Sequence, residues 1–368
     1  MKYDKPFKTF DELAHFLETE HGLPIMHGDA ERKYIASALQ AIPYYDLING
    51  YKDFFMENDH FRSNVCFPAL LLFYSFDRGF QNVIFPFSIM AEDYFKNILS
   101  YIMARDFGVS IEDYLNRKNY VTAFKNITYF QTYEHIRSIY EMKEKDENGT
   151  IIHPVKYIQK NSKNIEEPTR HYIDNHNHVP PWILLKNVTF SNAINLFLLM
   201  KQQQWTEVAD LMISAPIPAD QKRQILIYAL TLIRHFRNHM AHNLKFISFQ
   251  EQKKFYHGLN RKMLSEWLPK ELISESELKH GIGIFDIYAY LLFSMALIPD
   301  NPYKLLCVNR LLSYLGTYSN SPESILWTTQ YMQYTQATNI PHDFISRLTQ
   351  YRNSINHHLI NQFPVSEC

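Results

Sequence analysis

Residues 225–243 read ILIYALTLIRHFRNHMAHN, and the spacing of their apolar side chains indicates the fold class. Its large apolar side chains recur at helical spacing, for example at Ile225, Tyr228 and Leu232, which indicates an amphipathic helix with one buried face. The same spacing occurs in two apolar runs between residues 70 and 102, whereas the alternation typical of strands is scarce. The sequence therefore predicts an all-α protein.

The composition is that of a globular protein with balanced charge. Among the 368 residues 46% are hydrophobic, and 37 basic residues face 38 acidic ones, for a net charge of -1. Attraction to a polyanion would therefore require local clustering of basic residues. Only 10 glycines are present. No glycine-rich phosphate-binding motif appears, which argues against a nucleotide-binding loop of that kind, and we expect no cofactor.

The cysteine pattern and the apolar runs predict a cytoplasmic protein that makes no contact with a membrane. Cys66, Cys307 and Cys368 match neither a disulfide framework nor a zinc pattern, which fits a reducing compartment. The first 22 residues carry charges where a signal peptide needs an apolar stretch. The longest apolar run, Ile287 to Ile298, is shorter than the roughly 18 to 20 residues that cross a bilayer, so we expect a buried helix there.

Changes in composition divide the chain into three predicted parts. Residues 1–60 form an N-terminal helical segment rich in aromatic residues, and residues 61–250 form a helical core. Residues 141–168 are charged and poor in apolar side chains, which is typical of a surface insertion. Residues 263–368 are predicted to form a C-terminal helical subdomain.

Although the chain as a whole is nearly neutral, residues 221–262 form a basic segment. Between residues 221 and 262 the only acid is Glu251, whereas the basic side chains are Lys222, Arg223, Arg234, Arg237, Lys245, Lys253, Lys254, Arg261 and Lys262. Such a segment can hold phosphates, with an affinity that falls as salt rises. The alternative is a solvated helix face, which is the commoner role of a run of charges.

Arg237 and His242 carry the chemistry at the end of the predicted helix. Their five-residue separation turns them about 140° apart, so we expect them to flank a groove. Asn243 is expected to cap the helix, which leaves His242 at the carbonyl end of the macrodipole, where positive charge is favoured. A histidine, with an ordinary pKa of about 6.5, can accept the proton of a ribose 2′-OH or protonate a leaving oxygen, and an arginine can stabilise the phosphoryl oxygens. This pair predicts metal-independent cleavage of RNA, with no metal site.

The spacing alone is weak evidence, because the same interval separates Arg234 from His239 and Arg352 from His357. The setting of Arg237 is more specific: an apolar helix precedes it, and Asn238 follows it directly.

These features resemble the HEPN superfamily of ribonucleases, whose motif is Arg, a polar residue, a few spacers and His. Within it the chain looks like the abortive-infection proteins of the AbiD/AbiF type, over about residues 30 to 250. The resemblance depends on the order of four stretches, namely IPYYDLINGY at 42–51, LFYSFDRGFQNVI at 72–84 with Glu92 following, HVPPWILLKNVTF at 178–190 and LIRHFRNHMAHN at 232–243. One departure is Ser191, where we would expect glycine.

The resemblance implies a HEPN-type helical bundle with helical additions at both ends and a toxin-like role in defence against phage. It makes Arg237 the phosphate-binding residue, His242 the acid or base and Asn238 the polar residue of the motif. It also implies that two motifs meet, in a homodimer or between paired domains, and that some relatives pair with a structured noncoding RNA.

A second candidate motif, YRNSINHH at 351–358, repeats the form with Arg352, Asn353 and His357 at the end of an apparent helix. It is either the other half of a composite site within one chain or, as the shortness of the region favours, a polar helix end or a surface that contacts RNA. Further RNA-contacting residues are predicted from the basic segment: Lys222, Arg223, Arg234, His239, Lys245, Lys253 and Lys254.

Two other polar groups have more ordinary interpretations. His171, Asp174, His176 and His178 include metal-binding residue types, but their spacing fits no familiar site, which favours a polar loop. Asp77, Arg78 and Glu92 interrupt apolar helices and are expected to form structural ion pairs, with the further option that Glu92 orients Arg237.

Three functions from different classes remain open from the sequence. The favoured one is a dimeric endoribonuclease. The second is a noncatalytic module that holds a structured RNA in the same basic groove, and the third is a helical dimerisation protein with no RNA partner.

Overall fold

The computed structural model describes residues 5–140, 143–145, 151–154, 165–244, 246–247, 249–250, 259–319 and 324–362. The protein is all-α, as the helical spacing predicts. Its helices, in chain order, are α1 Phe10–Thr19, α2 Gly28–Ala41, α3 Lys52–Phe55, α4 Phe67–Phe107, α5 Ile111–Tyr114, α6 Tyr129–Tyr140, α7 Thr169–Asn175, α8 Pro181–Asn187, α9 Phe190–Leu199, α10 Gln202–Met212, α11 Ala219–Ala241, α12 Arg261–Trp267, α13 Glu275–Lys279, α14 Ile287–Leu297, α15 Pro302–Ser319, α16 Ser324–Thr338 and α17 Phe344–Gln362.

Short strands occur in three antiparallel pairs within the described residues: β1 Met56–Glu57 with β2 His60–Phe61, β3 Ala123–Phe124 with β4 Ile127–Thr128, and β5 Lys143–Lys145 with β6 Ile151–Pro154. The last pair belongs to the predicted charged insertion at 141–168, most of which lies outside the described residues.

Polar side chains at the first residues fix where several helices begin. Thr9 and Glu12 form a capping box at α1, in which the Thr9 hydroxyl accepts from the Glu12 backbone N–H at 3.2 Å and the Glu12 carboxylate accepts from the Thr9 N–H at 2.7 Å. Buried Asp286 caps α14 by accepting from the Ala289 N–H at 2.8 Å. These bonds satisfy amide groups that the first turn of a helix leaves without partners.

The chain folds into two compact units, each assembled from separated segments. The first contains the described residues of Met1–Phe85, Asn238–Phe249 and Leu306–Thr349, and the second those of Pro86–Arg237, Gln250–Leu305 and Gln350–Cys368. Helices α4, α11, α15 and α17 each contribute residues to both units.

Aromatic rings form the core of the first unit. Tyr334 of α16 packs edge-on against Phe76 and Phe80 of α4, with ring centroids 4.9 and 5.3 Å apart. Gly79 of α4 allows α15 to approach, because a Cβ there would lie 2.4 Å from the Tyr314 hydroxyl. That hydroxyl donates to the Phe76 carbonyl at 2.7 Å. The glycine of the FDRGF stretch therefore has a packing role.

Helix α14 lies at the centre of the second unit. Ten of its 11 residues are buried, so its apolar sequence reflects contact on all sides, and the predicted buried helix is confirmed. Phe236 of α11 packs on Tyr290 with centroids 5.5 Å apart, and the Tyr351 hydroxyl of α17 donates to the Met295 carbonyl at 3.1 Å. Among the described helices, none offers a stretch both long and apolar enough to span a bilayer.

Candidate functional site

Helix α11 ends in a closed turn that carries His242. The Asn243 N–H donates to the Met240 carbonyl at 3.3 Å, and the Leu244 N–H donates to the His239 carbonyl at 3.0 Å. Asn243 adopts the left-handed conformation, with φ of 57°. These features define a Schellman motif in which His242 is the last, half-helical residue. The predicted cap at Asn243 is confirmed, and the His242 side chain is exposed to solvent.

Arg237 lies one turn earlier on α11, in the second unit, beside an acidic side chain of α4. Its guanidinium Nε is 3.9 Å from Glu92 Oε2, and its side chain is 33% exposed. Glu92 also pairs with Lys96 at 2.7 Å, and both of these side chains are largely buried. The predicted structural ion pair of Glu92 is therefore confirmed, and its second oxygen is near enough to orient Arg237 by charge attraction.

The turn that carries His242 is held by Arg78 of α4, within the first unit. Its guanidinium donates to the Asn243 side-chain oxygen at 2.7 Å and to the Asn243 backbone carbonyl at 3.2 Å. A fork of this kind fixes both the side chain and the main chain of the capping residue. The expectation of an ion pair for Arg78 is thus replaced by an amide clamp. The only sequence signal was a charged residue in an apolar helix, which must find a partner.

Replacing Arg78 by lysine should loosen this turn, because an ammonium group cannot bond both oxygens of Asn243 in the same planar geometry. We expect the free energy of unfolding to fall by about 1 kcal/mol and the Leu244 amide to exchange faster with solvent. Hydrogen exchange measured on the folded protein tests this. Arg62→Lys is the matched control, since Arg62 is exposed and makes one 3.3 Å bond to the Phe54 carbonyl. Unchanged exchange at Leu244 in Arg78→Lys would show that the clamp does not hold the turn.

A cavity of about 550 Å³ lies against this clamp in the first unit. Its lining residues combine one guanidinium with amide, aromatic and small apolar side chains: Tyr74, Arg78, Gln81, Asn82, Phe85, Met240, Ala241 and Asn243. Amide groups can hydrogen-bond base edges, and a guanidinium can hold a phosphate. The cavity is therefore chemically suited to a nucleic-acid strand.

Beneath it, Asp77 is fully buried and is bound by neutral donors. Its carboxylate accepts from the Tyr51 hydroxyl at 2.6 Å, the Tyr334 hydroxyl at 2.8 Å and the Gln81 amide at 2.7 Å. Burial raises the pKa of Asp77 above its ordinary value, against the lowering effect of these hydrogen bonds. The predicted ion pair of Asp77 is wrong, because within the described residues its carboxylate is held by hydrogen bonds from neutral side chains. Tyr51 ends the IPYYDLINGY stretch, so this network joins two of the stretches that carry the family resemblance.

Two of the predicted RNA contacts in α11 are engaged by neighbouring side chains. Arg234 donates to the Ser191 hydroxyl of α9 at 2.8 Å. Serine at this position, where glycine was expected, therefore supplies an acceptor for the arginine. The His239 ring stacks on Phe249 with centroids 3.7 Å apart.

The remaining predicted contacts divide by position. Lys222 pairs with Asp210 of α10 at 2.8 Å. The Arg223 guanidinium lies over two aromatic rings, those of Trp205 and Phe124. Lys245, Lys253 and Lys254 lie outside the described residues.

The second candidate motif lies within α17 and not at its end, which corrects the prediction. Arg352 is near the middle of the helix, and α17 continues five residues past His357 to Gln362. Arg352 Nε donates to the Asn353 side-chain oxygen at 3.0 Å, and His357 lies 3.1 Å from the Asn361 amide. Arg352 is half-buried and His357 exposed, so this pair is a polar face of a continuous helix.

The histidine-rich stretch before α8 is a helix followed by a turn. His171 and Asp174 belong to α7, and the His171 and His176 rings lie 5.7 Å apart. Across the described ranges, no three side chains of the His, Cys, Asp and Glu types converge as metal ligands would.

Comparison with protein families matches residues 37–248 to a family model described as Abi-like protein. This range begins in α2 and extends just past the closed turn after α11, so it includes Asp77, Arg78, Glu92, Arg237 and His242. Comparison with curated proteins and with solved structures gives no significant match.

Proposed function

Because this chain belongs to the Abi-like protein family, which suggests a role in abortive-infection defence, we propose that it is an endoribonuclease of the HEPN type that cleaves RNA without a metal. Arg237 and His242 are the catalytic residues of the proposal, and Asn238 is the polar residue of the motif. A toxin-like effector in the cytoplasm, directed against RNA during phage infection, is the biological role that this activity would serve.

One observation carries the proposal: an exposed histidine forms the closed end of a long helix whose preceding turn bears a part-exposed arginine. A backbone hydrogen bond ties His242 to the last turn of the helix, since the His242 N–H donates to the Asn238 carbonyl at 3.0 Å. Positive charge is stabilised at the carbonyl end of a helix, which suits an imidazole that must carry a proton during part of the cycle.

The proposed reaction is an internal transfer of the phosphoryl group. One imidazole takes the 2′-OH proton, and the 2′-oxygen forms a bond to the adjacent phosphorus. The bond from phosphorus to the 5′-oxygen breaks, and a protonated imidazole gives its proton to that oxygen. Arg237 stabilises the negative charge that gathers on the non-bridging oxygens. The products are a 2′,3′-cyclic phosphate and a 5′-hydroxyl.

The reaction needs an acid and a base at once, whereas each motif supplies one His242. A homodimer with twofold symmetry would bring the same patch of two chains face to face and supply both imidazoles and two arginines. The dimer is therefore part of the proposal, and Arg352 and His357 are not required by it.

A noncatalytic RNA-binding module is the second candidate, and the 550 Å³ cavity favours it. Arg78, Gln81, Asn82 and Asn243 offer recognition groups that need no histidine. In this case the protein holds a structured RNA, and wild-type protein binds RNA without cutting it.

The chemistry of the cut ends tests the proposal. Total cellular RNA is treated with the protein in the presence of a metal chelator, and the cut site is then rebuilt in a synthetic RNA. We expect mass spectrometry to find 2′,3′-cyclic phosphate and 5′-hydroxyl ends, and a single 2′-deoxy nucleotide at the cut site to abolish cleavage, because DNA-like sugar lacks the attacking group. Cleavage that survives this substitution, or ends that bear a 3′-hydroxyl, would contradict the proposed mechanism.

A further inference from the structure

A second cavity, of about 410 Å³, lies in the second unit. The β3–β4 hairpin contributes Phe124 and Lys125, α10 contributes Trp205, and the first half of α11 supplies most of the remaining wall. Roughly 300 Å³ or more is the usual volume of a small-molecule site. The size of this cavity therefore suits a compact organic ligand.

Arg223 is one of three charged residues that line this cavity. Its guanidinium carbon lies 4.4 Å from the Trp205 ring centroid and 5.0 Å from that of Phe124. Cation–π contact with two rings restrains the guanidinium and leaves its N–H groups available for hydrogen bonds.

The hydrogen-bonding edge of Arg223 is poorly satisfied. One terminal nitrogen lies 3.5 Å from the Leu198 carbonyl, the far limit of a hydrogen bond, and the buried Nε has no partner within the described part of the chain. Burial lowers the pKa of Arg223 from its usual value, which reflects charge removed from water. Arginine nevertheless stays protonated, so an anion in this cavity would gain both charge and hydrogen bonds.

The neighbouring charges favour one small anion. Lys125 is exposed at the turn of the hairpin and also lines the cavity, while Asp220, one helical turn before Arg223 on α11, is the acid of the lining. The next basic side chain on α11, Lys222, is already paired with Asp210 at 2.8 Å. Two cations therefore face one carboxylate in this cavity.

The rest of the lining is suited to an aromatic body with polar edges. Ile227, Tyr228 and Leu259 form an apolar wall, whereas Gln224 offers an amide. An amide and a carboxylate can bind the hydroxyl groups of a sugar or the polar edge of a base.

We propose that this cavity binds a nucleotide, with the phosphate on Arg223 and Lys125 and the base against the apolar wall. The planar fork of Arg223 bonds two phosphate oxygens, and Asp220 and Gln224 take the polar edge of the ribose or base. This site does not depend on the nuclease chemistry, since Arg237 and His242 take no part in it.

The nucleotide can be free or belong to an RNA strand, and α11 suggests how the two differ. Arg223 and Arg237 both belong to the second unit and are 14 residues apart on one continuous helix. This separation corresponds to about 21 Å and nearly four full turns, so both residues project from about the same side of α11. A strand held at Arg223 would therefore need several further nucleotides to reach Arg237.

Titration with defined probes tests the site. Adenosine monophosphate, cytidine monophosphate, adenosine, inorganic phosphate and a short RNA with a 5′-phosphate are added to the full chain, and binding is followed by calorimetry and by quenching of tryptophan fluorescence. We expect at least one monophosphate or the RNA to bind about tenfold more tightly than adenosine or phosphate alone, because base and phosphate contacts then add. Trp205→Phe should remove most of the quenching.

Two variants of Arg223 make the test decisive. Arg223→Gln should weaken binding about tenfold or more, and Arg223→Lys, which keeps the charge without the fork, should also weaken it. Asp220→Asn should leave phosphate binding intact or improve it. Lys201→Gln is the matched control, since it removes one positive charge from an exposed residue just before α10, outside this lining, and should bind like the wild type.

Each outcome decides the proposal. Weaker binding in both Arg223 variants supports it; tighter binding of the RNA than of either mononucleotide then identifies an RNA strand as the source, and the reverse order identifies a free nucleotide. Equal binding by wild type and both variants, or saturation by no probe, overturns it. His242→Ala should keep full binding, so failure of the nuclease proposal would leave this result unchanged.

Discussion

Replacing His242 by alanine is expected to lower the rate of RNA cleavage by about 10²- to 10⁴-fold, the range that general acid–base catalysis contributes. RNA affinity should stay close to that of the wild type, because the imidazole is exposed and the turn around it is held by main-chain bonds and by Arg78. Single-turnover cleavage and filter binding, measured on the same RNA, separate the two effects.

The matched control for this variant is His280→Ala. His280 is also exposed and is also the C-terminal cap of a helix, α13, but lies outside the matched family region. It should cleave RNA at the wild-type rate. Cleavage by His242→Ala at that same rate would remove the proposed catalytic role, and RNA binding by a wild-type protein that never cuts would favour the noncatalytic module.

Mixed dimers extend the test to the composite site. When His242→Ala subunits are mixed with wild-type subunits and allowed to exchange, activity should fall with the square of the wild-type fraction, because only dimers with two intact motifs hold both imidazoles. A linear fall would mean that each chain acts alone, and the dimeric mechanism would then be wrong even if His242 is essential.

Replacing Asp77 by alanine should cause the largest loss of stability in the first unit. Three buried donors, the hydroxyls of Tyr51 and Tyr334 and the amide of Gln81, would lose their acceptor. At about 1 kcal/mol or more for each group left unsatisfied, we expect the free energy of unfolding to fall by about 3 kcal/mol or more. Burial and the nearby carboxylate raise the pKa values of Tyr51 and Tyr334, so both hydroxyls remain donors at neutral pH.

Chemical denaturation measures this loss, and single-hydroxyl variants calibrate it. Tyr334→Phe and Tyr51→Phe should each cost about 1 kcal/mol, since each removes one bond and leaves the other donors in place. If Asp77→Ala fails to fold, these two variants still measure the contribution of the network to stability. A cost for Asp77→Ala no larger than that of either tyrosine variant would show that the network contributes little to stability.

The pH dependence of the Asp77 contribution has a definite sign. Burial raises its pKa in the folded protein above the ordinary value of 3.8, so the folded state holds the proton more tightly than the unfolded state. The stability from this residue is therefore complete below the unfolded pKa and is lost as pH rises through the folded pKa. The free energy of unfolding of the wild type, minus that of Asp77→Asn, should rise on acidification. A difference that stays constant or falls would exclude a raised pKa.

The helices and the closed end of α11 were predictable from local sequence patterns. Apolar spacing depends only on neighbours along the chain, and it correctly predicted the all-α fold and the buried helix from Ile287. Asn243 was predictable as a cap for the same reason, because its left-handed conformation is a property of one residue type at one helix end. The ordered stretches around Arg237 and His242 also predicted an Abi-like family.

The same local reasoning failed for the second candidate motif, because a helix end and a helix interior can carry the same residue spacing. Arg352, Asn353 and His357 have the spacing of Arg237, Asn238 and His242, yet they lie within α17. Spacing cannot separate a helix end from a helix interior when the following residues remain compatible with a helix. The difference comes from α17 continuing to Gln362.

Contacts between side chains that are distant in the sequence depend on how the helices pack. Arg78 lies 165 residues from Asn243, and Asp77 lies 257 residues from Tyr334. A charged or polar residue in an apolar helix requires a partner when it is buried. The chain carries many compatible donors and acceptors, and the packing of the helices determines which of them it meets. The contact of Arg223 with rings from a hairpin and another helix was beyond the sequence for the same reason: periodicity is a local property, whereas the partner of a buried charge is set by topology.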